Sequence, residues 1–93
     1  MKAMRIDKGL LAEIRRRKPA ARLEIGQAIA SAQAFFGAPH VHGGAGVRKL
    51  KGQWYEVRSG LELRLIFRDC EECLSFEFMG SHDVGRRFLK GVK

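Results

Sequence analysis

The chain is poor in cysteine, with Cys70 and Cys73 alone. Two thiols are too few for a disulfide-stapled scaffold, and both are expected to be reduced. Long apolar runs are missing too. None approaches the ~18 residues that cross a bilayer, so no membrane partner is expected. The opening, Met1-Lys2-Ala3-Met4-Arg5-Ile6-Asp7-Lys8, leads into no apolar stretch of signal-peptide length. These absences together point to the cytoplasm. There is no repeat, no low-complexity segment and no linker. The glycine-rich stretch 37–46 lacks the Gly-Lys-Ser/Thr ending of a P-loop, which argues against a nucleotide there. Acidic residues are scarce: 10 Asp and Glu stand against 18 Lys and Arg, a formal charge of +8. Such an excess points to a polyanionic partner, nucleic acid before an acidic protein.

What is present suffices for one thin-cored domain over residues 1–93, since 45% of the residues are apolar. Ala3 to Ile6 reads as a short strand. Asp7 is a good N-cap for a helix carrying Leu10, Leu11 and Ile14, whose end, Arg15-Arg16-Arg17-Lys18, is a solvated one. Pro19 breaks that pattern and opens a second helix. Ile25, Ile29, Ala32 and Phe36 recur at helical spacing there, and Gly37-Ala38-Pro39 stops it. Two helices joined at a proline form an antiparallel hairpin that needs a sheet against its apolar stripe.

From about Val47 the period becomes two. Tyr55 and Val57, then Leu63, Leu65 and Phe67, then Leu74, Phe76 and Phe78 share an apolar face. Trp54, Glu56, Arg58, Arg64, Ile66 and Arg68 point the other way, onto a face expected to be polar and open. Parity sets the hairpins. An odd loop, Ser59-Gly60-Leu61, joins the first pair and an even one, Asp69-Cys70-Glu71-Glu72, the second. In this register Arg58 lies opposite Glu62, and Arg64 lies between Glu56 and Glu77. The aromatic stripe Phe35, Phe36, Phe67, Phe76 and Phe78 is expected in the core. Asp83 to Leu89 forms a short helix or tail bearing Arg86, Arg87 and Phe88.

Three groups of residues suggest chemistry. Arg58 and Arg64 offer paired guanidinium donors that match a phosphate. The competing reading is a cross-strand ion-pair ladder with Glu56, Glu62 and Glu77. His82 follows Gly80 at the rim of the basic face, where it could exchange a proton near neutral pH, with Asp83 to orient it. A lone histidine is more commonly a surface or capping group. Arg48, Lys49 and Lys51, beside Trp54, suit a nucleic-acid backbone, and Trp54 could stack on a base. His40-Val41-His42 and Cys70-Glu71-Glu72-Cys73 resemble two halves of a zinc site. No spacing requires them to meet, so no metal and no cofactor are expected.

Arg48 to Phe88 resembles the RelE/ParE toxin superfamily of bacterial toxin–antitoxin systems. The resemblance rests on Lys49-Leu50-Lys51-Gly52, Glu56-Val57-Arg58, Leu63-Arg64-Leu65-Ile66 and Gly80-Ser81-His82-Asp83, in that order after a helical hairpin. It implies an α+β fold: a short N-terminal strand, two helices, and a three-stranded antiparallel meander, giving about four strands with helices on one face. It implies a cognate antitoxin as partner. RelE-like members cut messenger RNA in the ribosomal A site without a metal, whereas ParE-like members inhibit DNA gyrase. On the first branch, Arg64 matches a phosphate-stabilising arginine, Arg58 a supporting one and His82 a general acid. Arg48, Lys49, Lys51, Trp54, Arg86 and Arg87 would then bind RNA. Many RNA-cutting members carry a tyrosine near the C-terminus; the only tyrosine here is Tyr55. The general base stays open, with Glu56 and Glu77 on the appropriate face. A non-catalytic nucleic-acid-binding module is the remaining possibility.

Overall fold

A computed structural model describes residues 2–37 and 46–91. Its elements, in chain order, are β1 (Ala3–Ile6), α1 (Lys8–Arg15), α2 (Pro19–Gly37), β2 (Val47–Lys51), β3 (Trp54–Ser59), β4 (Leu63–Asp69), β5 (Cys73–Gly80) and α3 (Val84–Gly91). They form the expected α+β fold with one addition. The basic run before Trp54 is itself a strand, so the sheet has five strands in the order β1-β5-β4-β3-β2. β1 pairs parallel to β5, and every other pair is antiparallel.

Local chemistry starts the first helix where the sequence predicts. Asp7 caps α1, its Oδ2 accepting the Leu10 amide at 3.1 Å. α2 lays Ile25, Ala28, Ile29 and Ala32 onto the sheet, where Val57, Leu65, Phe67, Leu74 and Phe76 meet them. Phe36 stands edge-on to Tyr55 and Phe67, which ties the end of α2 to the middle strands. This apolar layer is the core, and dry burial of each such side chain contributes about 1.5–3 kcal/mol.

Three expectations about the sheet need correction. First, the β3–β4 loop lies one residue later than predicted, which shifts every cross-strand partner by two. Ser59 pairs with Leu63, and Gly60 takes a φ of 66° in the loop between them. An odd loop satisfies parity in either register, so parity could not choose between them. Arg58 therefore faces Arg64 and not Glu62. Second, the register of β4 against β5 shifts between Ile66 and Phe67, so Glu77 is the extra residue of a bulge. Arg64 faces Gly80 instead of lying beside Glu77. The bulge also flips Phe78 off the core face; it is 48% exposed and leaves the predicted core stripe. Third, the polar face is not open along its length. α3 packs across it, and Ile66 and Glu56 beneath are 0% and 5% exposed. Trp54, Phe78 and Phe88 form an aromatic cluster on this side, with Trp54 and Phe88 centroids 4.7 Å apart.

The thiol expectation also changes. Cys70 and Cys73 are joined as a disulfide at the tip of the β4–β5 hairpin, with Cα atoms 5.2 Å apart. His40 and His42 lie outside the described residues. Among the described residues no group of three His, Cys, Asp or Glu comes together to hold a metal. No helix among them is long and apolar enough to cross a membrane.

Candidate functional site

Two adjoining hollows lie between β2, the ends of β3 and β4, and the start of α3. One, of about 550 Å³, is lined by Arg48, Lys49, Leu50, His82, Asp83 and Arg86, with Leu89 at one side. The other, of about 540 Å³, is lined by Gly46, Arg48, Glu56, Arg58, Arg64 and His82, with Val47 behind them. Arg48 and His82 belong to both, so the two form one groove.

Strand geometry explains the cations. Residues of alternate parity project to one face of a sheet, which places Arg48, Arg58 and Arg64 together on neighbouring strands. Arg58 and Arg64 are directly opposite each other. Neither takes part in a salt bridge among the described residues. Among the described residues, the only side-chain hydrogen bond of the pair runs from Arg64 Nη1 to the Leu63 carbonyl at 3.2 Å. The predicted carboxylate ladder is therefore absent between these residues. Like charges set opposite across strands destabilise a sheet.

Glu56 has a role the sequence left undecided. Its carboxylate is the floor of the groove. Oε1 accepts from Arg48 Nη2 at 3.1 Å, and Oε2 is buried with no hydrogen-bond partner among the described residues. The first turn of α3 lies on top of it. A Cβ at Gly85 would collide with Glu56 Oε2, so a glycine is what lets the helix descend onto the carboxylate. The sequence hides the cross-strand pair Arg48–Glu56 because Arg48 reads there as part of a basic run ahead of the sheet.

His82 is exposed in the turn between β5 and α3. Gly80 is needed to make that turn, because a Cβ there would stand 2.7 Å from Val84 Cγ2. Beside the histidine, Asp83 Oδ1 accepts from Ser81 Oγ at 2.5 Å and lies 3.7 Å from Arg87 Nη2. The Ser81 hydroxyl foremost holds the Asp83 carboxyl below its usual range; desolvation opposes it, and the Arg87 charge adds a lesser lowering. The carboxylate accepts from Ser81 and faces Arg87, and among the described residues it makes no hydrogen bond to His82.

The other predicted nucleic-acid residues divide. Lys49 and Arg86 line the groove beside Arg48. Lys51 is exposed where β2 turns at Gly52. Arg87 is exposed on the far side of α3, next to Phe78 and Phe88. Trp54 is half-buried in the aromatic cluster, with the Arg68 guanidinium 5.9 Å from its ring centre. It props up α3 outside the groove.

No family model matches the sequence, and no curated protein matches it. Solved structures do. The E. coli toxin RelE, as a double-arginine mutant in complex with an antitoxin RelBc peptide, superposes with a TM-score of 0.64 at 14% identity. That match covers 99% of this chain and 95% of the other. The chain has the fold of the RelE-like toxins. Isolated E. coli RelE matches over 100% of both chains, with a TM-score of 0.62 and 14% identity. A mutant of YafQ from E. coli matches 90% of this chain and 97% of its own, with a TM-score of 0.52 and 12% identity. The RelE-like fold thus spans the described chain, including the edge strand and the C-terminal helix that frame the groove.

Proposed function

We propose that the protein is the toxin of a toxin–antitoxin pair and cuts ribosome-bound messenger RNA in the groove between β2 and α3. The observation that carries this reading is the convergence of Arg48, Arg58, Arg64 and His82 on one groove, with the two facing arginines unpaired among the described residues. Its likeness in fold to RelE supports the reading, as does the complex of RelE with an antitoxin peptide.

The reaction sets three demands. The 2′-oxygen must lose a proton and attack the neighbouring phosphorus. The phosphorane must be stabilised as its charge grows. The 5′-oxygen must gain a proton as it leaves. Arg64, half-buried and fixed to its own strand, would hold a non-bridging phosphate oxygen, with Arg58 opposite it. The two guanidinium groups would supply the charge that a metal would otherwise bring. His82 as imidazolium would protonate the 5′-oxygen. Glu56 is a positioning residue, holding Arg48 over the groove. Its own carboxylate is buried under Gly85, and that of Asp83 is engaged by Ser81. In this scheme the 2′-hydroxyl therefore gives its proton to water, leaving a 2′,3′-cyclic phosphate and a 5′-hydroxyl.

Primer extension on a defined messenger RNA in a purified translation reaction tests this. New ends that require both ribosomes and His82 are the expected result. No cleavage by the folded wild-type protein would reject the reading. A supercoiling assay would then examine DNA gyrase, the target of the other branch of the superfamily.

A further inference from the structure

The groove does not account for the charge of this protein. Five more cations, Arg15, Arg16, Arg17, Lys18 and Arg22, crowd the junction of α1 and α2, and all five are exposed. Without them the formal charge would fall from +8 to +3. None of them lines the groove, and none has a salt-bridge partner among the described residues. The two helices cover the apolar face of the sheet, and the groove opens on the other face. The junction is therefore a separate basic surface.

Stability does not explain it. One cation at the end of α1 suits the helix dipole, and Arg15 meets that need. Lys18 and Arg22, however, stand at the positive end of α2, whose first turn carries no acidic residue. They are four apart, and like charges at that spacing repel by a few tenths of a kcal/mol. The backbone of the corner is hydrogen-bonded on both sides of Pro19. The amides of Arg16 and Arg17 donate to the Glu13 and Ile14 carbonyls at 3.2 and 3.0 Å, and the Arg22 amide donates to the Lys18 carbonyl at 3.0 Å. Four of the five are arginines, whose planar fork matches phosphate oxygens better than lysine does. An arginine-rich corner without carboxylate partners among the described residues fits a repeating phosphodiester.

We propose that Arg15, Arg16, Arg17, Lys18 and Arg22 form a second nucleic-acid site that grips the sugar–phosphate backbone of a structured strand, apart from the groove. It gives affinity without sequence choice. In a chain that acts on an RNA-rich particle, it would dock the protein on one strand while the groove holds another. The proposal concerns binding, and its test reads binding directly, so it stands or falls independently of cleavage.

The test is fluorescence anisotropy with a labelled RNA hairpin and a duplex DNA of matching sequence, across a salt series. The variant replaces all five residues with glutamine, and circular dichroism checks its fold. At ~0.15 M salt its affinity should fall at least about tenfold, and the slope of log K on log salt should shrink by ~0.7–0.9 for each phosphate that the variant fails to neutralise. A groove variant, Arg58→Gln with Arg64→Gln, should add its own loss independently. Weaker binding of either nucleic acid supports the site, and the larger effect names the preferred backbone. Unchanged affinity and slope would overturn it. So would a variant that keeps nucleic-acid binding and loses only binding to phosphatidylserine vesicles or polyglutamate, which would mark a membrane or acidic-protein surface.

Discussion

Arg58 stands directly opposite Arg64 across the β3–β4 hairpin, and neither guanidinium has a carboxylate partner among the described residues. The pair should cost the free protein stability and repay it on anion binding. Arg58→Gln is expected to raise the urea-unfolding free energy by about 0.2–0.5 kcal/mol, the scale of one cross-strand charge pair. Arg64→Ala should lower RNA cleavage by roughly 10². A folded Arg64→Ala variant that cleaves like wild type would remove this arginine from the site.

His82 is exposed and outside the core, so its replacement should leave the fold intact. His82→Ala is expected to reduce cleavage by roughly 10² or more while the thermal midpoint stays put. Single-turnover rates on ribosome-bound message, beside a thermal melt, separate the two effects.

Gly85 and Glu56 should behave as a coupled pair. Gly85→Ala drives a methyl into Glu56 Oε2 and should cost about 1–3 kcal/mol. In a Glu56→Ala background the same change should cost much less. A double-mutant cycle by urea unfolding measures the difference, and strictly additive effects would mean that the helix does not rest on the carboxylate.

Asp83 titrates below the ordinary carboxylate range because of Ser81 first and Arg87 after it. A carboxyl with a depressed folded-state pKa adds stability above its unfolded pKa, and that contribution disappears as pH falls through the folded value. Ser81→Ala should move the Asp83 titration upward, towards the usual range, and shrink the contribution. NMR titration of the Asp83 carboxyl carbon reads this, and an unmoved titration would deny Ser81 the leading part.

Phe88 holds α3 on the sheet through Trp54 and Phe78. It is only half-buried, so Phe88→Ala should cost about 1–2 kcal/mol. Trp54 is the single tryptophan, so its emission should shift to the red as the helix loosens. An unshifted spectrum would place the anchoring of α3 elsewhere.

Much of this architecture is legible in the sequence because simple periods carry it. The stripe Ile25, Ile29, Ala32 marks α2, and Asp7 marks the start of α1. The residues of the groove are legible as well, though not how they meet. Parity decides which face a residue takes but leaves a two-residue slip undetermined, and that slip sets Arg58 against Arg64. A bulge breaks parity altogether, so simple alternation puts Phe78 on the wrong side of the sheet. Ile66, apolar in the middle of a polar face, is the available sign that something covers that face. Gly85, followed by Phe88, is the sign of what covers it.

β2 ends the sheet on one side, and Arg48, Lys49 and Lys51 stand along it. A bordering strand offers unpaired backbone groups to any other chain, and cations along it discourage such pairing. By that principle the basic border would also guard against self-association. A polyanion that neutralises these side chains without covering the strand would lower that guard. Turbidity should therefore peak near charge balance in a titration with short oligonucleotides, and clear again when the oligonucleotide is in excess.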